Sequence, residues 1–258
     1  MKIITLLTDF GTRDYFVGAM KGVILSINPN VNIIDISHEI EPQRIRSGAF
    51  VLENSYSYFP KGTIHVAVID PGVGSQRRAI LVQTEDYFFI APDNGILSFI
   101  LTKSKNPKVF SLEDENYFLK NPSSTFHGRD IFAPVAAHLS KGVSPSSFGK
   151  FINDPVIIES YAPQFISYGR FIGRVIHIDR FGNLITNFKA ENLPKRFVLR
   201  IGDFTIDKHL KFYSQAQTDE PFSIVGSAGL LEISVFKGSA KQILGASIDQ
   251  AVELQTIE

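Results

Sequence analysis

An alternation of two periodicities at the start of the chain restricts the fold more than any other feature. Short apolar runs at Ile3–Leu7, Asn32–Ile36 and Ile64–Ile69 read as strands. Between the first two, Tyr15–Ile27 places Phe16, Ala19, Met20, Val23, Ile24 and Ile27 at helical spacing. Asp14 is the expected N-cap there, and Asn28-Pro29-Asn30 the stop. Ile45–Tyr58 reads as a second helix, closed by Pro60 and Gly62. A β-α-β-α-β opening predicts an α/β domain with a mostly parallel sheet, since parallel neighbours need a crossover that puts helices on the faces. Ala79–Thr84 and Tyr87–Ala91 read as a hairpin turning at Glu85-Asp86. A further helix ends near Leu139, starting either from Asp130 as N-cap or with Pro134 in its first position.

After Pro155 the pattern changes. Phe171–Ile178, Leu184–Phe188, Arg196–Ile201, Ser223–Val225 and Leu230–Phe236 are short strand-like pieces separated by turns, and helical periodicity is scarce. The expectation is two domains: residues 1–155 as the α/β part and 156–258 as a small antiparallel β part, with Pro155 and Pro163 bracketing the linker. At 258 residues the chain is long enough for each to bury its own core.

Charge narrows the possible partners. With 26 basic and 26 acidic residues the formal net charge is zero, so the basic footprint of a nucleic-acid binder is missing. No apolar run approaches the roughly 20 residues that span a bilayer. "MKIITLLTDFG" has too few apolar residues before Asp9 for a secretory leader, and the chain reads as cytoplasmic. The absence of cysteine removes disulfides, thiolate ligands and a thiol nucleophile together.

Two carboxylates occupy equivalent places. Asp9 follows the first strand in "LLTDFGTRD", and Asp70 follows the third in "VAVIDPGVG". Ligands of open α/β sheets gather at the carboxyl ends of strands. Taken singly, each Asp serves equally well to cap a helix or tie a turn. Two of them, each with glycine close behind, point to a polar-ligand site. "GVGSQR" is not a dinucleotide fingerprint, because Arg77 stands where the third glycine belongs and a strand follows instead of a helix. Gly72 and Gly74 instead predict a tight turn that brings an arginine back towards Asp70. Neighbouring residues of an extended segment face opposite ways, so periodicity leaves open whether Arg77 or Arg78 turns inward.

"TFHGRDIFAP" places His127 just before a helix, where main-chain donors are at hand. His138 falls on a helix, and His65 and His177 lie inside strands. No histidine pair has helical ligand spacing, HExxH is absent, and His38-Glu39 cannot chelate from adjacent strand positions, so no metal site is expected. The metal-dependent alternative would draw on His127, Asp130 and His38. In the second half, "HIDRFGNLITN" combines Asp179, the aromatic face of Phe181 and the amides of Asn183 and Asn187, a set suited to an amino-acid head group or a purine edge. A plain hairpin turn accounts for the same residues. "VGSAGLLEIS" adds a small polar turn at Ser227.

Taken in order, "TDFGTRDYFVGAMKG", "DPGVGSQRRAI", "APDNGIL", "FHGRDIFAP", "IDRFGNLITN" and "GSAGLLEIS" resemble one family along nearly the whole chain. It is the S-adenosyl-L-methionine (SAM) hydroxide adenosyltransferases, or adenosine-forming SAM hydrolases, relatives of fluorinase and chlorinase. The resemblance implies a Rossmann-like N-terminal domain, a C-terminal β-barrel and a homotrimer with active sites between subunits. It implies hydrolysis of SAM to adenosine and L-methionine without metal or organic cofactor. Its water-activating set falls on Asp70, Arg77 and His127. Asp9, assisted by Asp14, would hold the ribose hydroxyls, and Asp179 and Ser227 the methionine ammonium and carboxylate. Asn183 would meet the adenine edge with Phe181 packing nearby. Where halogenating relatives carry an arginine after the serine, this chain has Ala228. A SAM-dependent halogenase and a non-catalytic nucleoside or SAM sensor are the alternatives.

Overall fold

A computed structural model describes residues 2–159 and 162–257. The chain divides into two compact units, Met1–Ile158 and Glu159–Glu258, each a mixture of sheet with short helices. Among the described residues no helix is long and apolar enough to cross a membrane.

The first unit is built on strands β1 (Ile3–Thr8), β2 (Asn32–Ser37), β3 (Ile64–Val68), β4 (Ala79–Gln83), β5 (Phe88–Pro92), β6 (Lys108–Ser111) and β7 (Phe151–Ile152). Their order in the sheet is β2-β1-β3-β5-β4-β6-β7. The pairings β1–β2, β1–β3 and β3–β5 are parallel, whereas β4–β5, β4–β6 and β6–β7 are antiparallel. The expected parallel run therefore occupies half of a mixed sheet. The hairpin closed by Thr84 and Tyr87 reverses the direction, and β6 and β7 continue the reversed half.

β3 is buried along its whole length because both faces of the sheet are covered. Ile4, Leu6, Val66 and Val68 point into one core with Met20 and Ile24 of helix α1 (Phe16–Ile27). Leu7, Ala67 and Ile69 point into the other, with Leu52 of α2 (Ile45–Glu53) and Ile100 of α3 (Ser98–Lys103). Helix α4 (Ala133–Ser140) joins the first core through Val135 and Ala136, and Asn28 Nδ2 donates to Ser140 Oγ at 2.8 Å, tying the ends of α1 and α4.

Two helix boundaries depart from the sequence expectation. Asp14 does not cap α1; Tyr15 is the boundary residue, already helical, and no side chain caps it. Aromatic packing fixes the entry instead, since the ring of Phe16 lies 5.7 Å from Phe10 and 5.1 Å from Phe126. The segment expected as one helix to Tyr58 ends at Glu53, with a separate 3₁₀ turn at Tyr56–Tyr58. Asn54 Nδ2 and Ser55 Oγ donate to the carbonyls of Phe50 and Val51, offering the chain a competing way to satisfy the final turn.

The second unit holds β8 (Gln164–Ser167), β9 (Arg170–Ile178), β10 (Leu184–Lys189), β11 (Phe197–Ile201), β12 (Phe204–Ile206), β13 (His209–Leu210), β14 (Phe222–Val225), β15 (Leu230–Ser234) and β16 (Ala251–Thr256). The path is β12-β11-β16-β9-β10-β15-β14-β13, with β8 paired to β9. Neighbours are antiparallel apart from β13 and β14. Val175, Leu184, Leu199, Leu231, Ile233, Val252 and Leu254 form its core. The five-residue helix α5 (Ala240–Leu244), capped by Ser239, contributes Ala240 and Leu244. It is too short to show a period in the sequence.

Candidate active site

β1 and β3 are parallel neighbours with Thr8 opposite Val68, so Asp9 and Asp70 emerge together at the carboxyl edge of the sheet. Asp70 starts a tight turn. Its carbonyl accepts from Val73 N at 3.2 Å, and the Gly72 carbonyl accepts from Ser75 N at 3.1 Å. Ser75 Oγ then accepts from Arg77 N at 3.2 Å, which aims the guanidinium back along the turn. Arg77 Nε donates to Asp70 Oδ1 at 2.9 Å and Oδ2 at 3.1 Å, and Nη2 also donates to Oδ2. The pair is nearly enclosed, with side-chain exposures of 10% and 5%.

Arg78 faces the opposite way. Its Nε donates to Asp93 Oδ2 at 2.8 Å, and Nη1 and Nη2 reach Asp154 Oδ1 and its carbonyl at 2.8 and 2.6 Å. Asp93 also accepts from Val156 N at 2.8 Å, and Ser98 Oγ from Ile158 N at 2.8 Å, which stitches the end of the first unit onto its sheet. Sequence reasoning attached no contact to Asn94. Its Nδ2 donates to the Ile69 carbonyl at 2.8 Å and so pins the peptide leading into Asp70. The only sequence signal was its place in "APDNG".

His127 reaches this pair from the loop that precedes α4. Gly74, at φ +76°, lies directly against the backbone of Ser124, so the arginine turn rests on the loop that leads to the histidine. Phe126 is buried among Phe10, Tyr15 and Phe16, which joins that loop to the one carrying Asp9. His127 then opens a π-helical turn, Gly128–Phe132, that runs into α4. Arg77 Nη2 and His127 Nδ1 are 2.8 Å apart. A guanidinium has no acceptor, so Nδ1 accepts and the neutral ring carries its proton on Nε2. Burial, followed by the charge of Arg77, holds the imidazole below its ordinary value of 6.5, against weaker opposing pulls from Asp70 and Asp130. At neutral pH the set is therefore a paired carboxylate, a bridging cation and an uncharged imidazole with one N–H free to donate.

Asp9 Oδ2 accepts from Gln43 N at 2.7 Å. Burial raises its pKa despite that bond, and the charge of Asp70 adds to the rise. Asp14 is exposed on the same loop. His38 bonds Thr8 Oγ1 at 2.8 Å and lies 3.0 Å from Asp35, while Asp130 accepts from Arg129 and from Ser123 N. Among the described residues no group of three or more His, Cys, Asp or Glu is placed to hold a metal ion.

In the second unit, residues 179–183 form a turn closed on its own carboxylate. Asp179 Oδ1 accepts from the backbone N–H groups of Phe181 and Asn183, each at 2.9 Å, and Oδ2 accepts from Asn183 Nδ2 at 2.8 Å. Phe181 is thrown outward, 77% exposed, while Asn183 is buried. Ser227 lies exposed on a different turn, between β14 and β15, where Gly226 N donates to the Leu230 carbonyl at 2.9 Å. Among the described residues no hydrogen bond joins the side chains of Ser227 and Asp179. Between the two turns stands Glu232 on β15, which accepts from Tyr213 Oη at 2.9 Å. Its one sequence signal was a charge inside the apolar run "LLEIS".

Comparison with known proteins covers both units. Residues 4–149 match the SAM hydroxide adenosyltransferase N-terminal domain, and residues 173–253 the C-terminal domain of the same name. A protein of Methanocaldococcus jannaschii named (R)-S-adenosyl-L-methionine hydrolase is 38% identical over 98% of this chain and 96% of its own. One of the same name from Thermus thermophilus is 33% identical over 98% of this chain and all of its own length. A crystal structure of an uncharacterized conserved protein from Thermotoga maritima superposes with a TM-score of 0.88 at 36% identity, covering 98% of this chain and 99% of that one. The chain belongs to the SAM hydroxide adenosyltransferase family.

Proposed function

We propose that the protein hydrolyses SAM to adenosine and L-methionine by in-line attack of water on the ribose C5′, and that Asp70, Arg77 and His127 act on that water. The observation that carries this reading is the Arg77 guanidinium bridging the Asp70 carboxylate and His127 Nδ1. The names of the relatives direct it further, to the (R) epimer at the sulfonium.

The leaving group is a neutral thioether and needs no proton, so a general acid has no task. The nucleophile is the difficulty. In this assignment His127 Nε2–H and the Arg77 guanidinium donate towards the water oxygen, and Asp70 accepts the proton it sheds. Preorganised donors aimed at developing negative charge contribute on the order of 10²–10³-fold each. Holding the water in line with the C5′–S bond contributes more, up to roughly 7–11 kcal/mol in favourable cases. The chemistry requires no metal or organic cofactor.

Asp9, aided by Asp14, clamps the ribose diol. Asp179 and Ser227 receive the methionine ammonium and carboxylate, and Asn183 with Phe181 receives the adenine. These contacts lie on two units, and the reading places them together in a homotrimer, the first unit of one subunit facing the second unit of its neighbour. In this reading the N-terminal domain, drawn from the sequence at 1–155, is Rossmann-like, the C-terminal domain, 156–258, is a β-barrel, and the protein is cytoplasmic. His127 and the absence of an extra loop after "APDNG" support water over halide, while Ala228, standing where halogenating relatives carry arginine, removes one side-chain clamp for the methionine carboxylate.

The test is chromatography of products after incubation with each SAM epimer, with and without chloride or fluoride. Adenosine and methionine are expected from the (R) epimer, with or without halide, and little or none from the (S) epimer. A 5′-halo-adenosine would establish a halogenase, and tight binding with no methionine release a sensor.

A further inference from the structure

Glu232 has a place in the second unit that packing alone does not account for. It is only 8% exposed, on a strand whose flanking residues Leu231 and Ile233 belong to the core. Burial pushes its carboxyl pKa up; the Tyr213 bond opposes this and the charge of Asp179 reinforces it. The same surroundings, with Glu232 itself, push the Tyr213 hydroxyl up to about 12. A buried carboxylate beside another is costly unless a cation or several donors face it. Tyr213 supplies one donor, to Oε2. Among the described residues Oε1 has no hydrogen-bond partner.

That oxygen has a defined direction. A Cβ on Gly226 would lie 1.6 Å from Glu232 Oε1, so the free oxygen sits over the turn that carries Ser227. A side chain at position 226 would displace it. Ser234, two residues further along β15 and on the same face, is fully buried. Its Oγ faces the Tyr213 hydroxyl and meets no other polar group among the described residues. The free Glu232 oxygen and the buried Ser234 hydroxyl, which has only Tyr213 beside it, thus share one face of the strand, over the turn that carries Ser227. Asp179 already accepts three N–H groups of its own turn. An ammonium brings three donors and a positive charge, and among the described residues Glu232 Oε1 is met by neither a donor nor an ion-pair partner.

We propose that Glu232, held by Tyr213, is the partner of the α-ammonium at the amino-acid end of the substrate and thereby a determinant of specificity for an intact amino-acid tail. The proposal rests on the reading of the chain as a SAM hydrolase and adds to it a residue that the motif resemblance did not assign. Asp179, whose oxygens already organise its own turn, shares the ammonium with Glu232.

The experiment compares wild type with Glu232→Gln, which keeps the size of the side chain and an oxygen for Tyr213. The expected result is a KM for SAM raised about tenfold or more, in line with loss of a charge-assisted hydrogen bond, with kcat within about threefold and adenosine affinity by calorimetry unchanged. A SAM analogue lacking the α-amino group provides the second readout. Wild type should discriminate against it in kcat/KM, and the variant should lose most of that discrimination. An unaltered KM for SAM overturns the proposal. So does an equal loss of SAM and adenosine affinity, which would mark Glu232 as structural. If wild type released no methionine from SAM, the hydrolase reading itself would fall, and the proposal with it.

Discussion

Gly74 and Ser124 meet backbone to backbone: a Cβ on Gly74 would lie 2.1 Å from the Ser124 carbonyl oxygen. With φ at +76°, the position is doubly closed to other residues. This contact sets how far the Asp70–Arg77 turn stands from the loop bearing His127. Gly74→Ala is expected to destabilise the protein by about 1–3 kcal/mol through left-handed strain. The clash should also push His127 away from Arg77 and lower kcat at least tenfold. Thermal melting and steady-state turnover check both effects; an unimpaired kcat would show that this contact does not position His127.

His127→Ala and Asp70→Ala should each slow SAM turnover by about 10²-fold or more while leaving adenosine affinity within a few-fold, since both act on the water rather than on the nucleoside. Single-turnover kinetics beside calorimetry separate the two quantities. Arg77→Ala differs in kind. It strands a nearly enclosed carboxylate, so a stability loss of about 3–5 kcal/mol should accompany the loss of rate. Equal melting temperatures for the Arg77 and His127 variants would contradict the pairing described here.

Asp9→Ala should chiefly weaken binding. A carboxylate can accept two hydroxyl hydrogen bonds at once, and losing a diol clamp should cost about tenfold or more in adenosine affinity. Titration calorimetry with adenosine decides it, and unchanged affinity would take Asp9 out of the site.

The pH dependence of turnover follows from the tautomer of His127. Its pKa lies below 6.5 in the folded protein, so the neutral ring persists through neutral pH. Protonating Nδ1 removes the acceptor for Arg77 and sets two cations against each other. Activity should therefore hold above pH 6.5 and fall as the pH drops below it, through the lowered value. The residual activity of His127→Ala should lack that acid limb.

Acid stability should be governed in part by His65, wholly buried on β3. Its Nδ1 bonds Thr5 Oγ1 at 2.8 Å, while Nε2 has no hydrogen-bond partner. The ring stacks on Phe89 at 5.1 Å, and burial depresses its pKa from 6.5 to about 3. Below pH 6.5 the unfolded chain takes a proton that the folded chain refuses. Stability is thus lost at up to about 1.4 kcal/mol per pH unit, to a total near 5 kcal/mol as the pH falls to 3. His65→Phe should flatten denaturant-measured stability between pH 6 and 4, and a slope equal to wild type would refute the assignment.

The legibility of the sequence varied with the range of the interactions concerned. β1, α1 and β3 were visible because their apolar periods are long and both sheet faces are covered. The antiparallel half of the first sheet was less so, since β6 and β7 are too short to carry a period. Asp14 has the residue type of a cap but does not serve as one, because aromatic packing on Phe126, more than a hundred residues away, sets the start of α1. Spacing left Arg77 and Arg78 equivalent. The family resemblance chose Arg77, and the position of Asp93 and Asp154 on one side, and of Asp70 and His127 on the other, gives the physical reason. That Asp179 would spend its oxygens on its own turn, and that Glu232 would keep one free, are properties of loop closure in three dimensions that no residue count reports.

The stitching of Asp154, Val156 and Ile158 onto Arg78, Asp93 and Ser98 bears on how the protein can be cut. A truncation near residue 150, where the last strand of the first sheet begins, would strip a guanidinium of half its ligands and a 2%-exposed carboxylate of its backbone donor. A shortened form of the first unit has to retain the chain through Ile158, because those final residues are the outer clasp of the same sheet edge that presents Asp70.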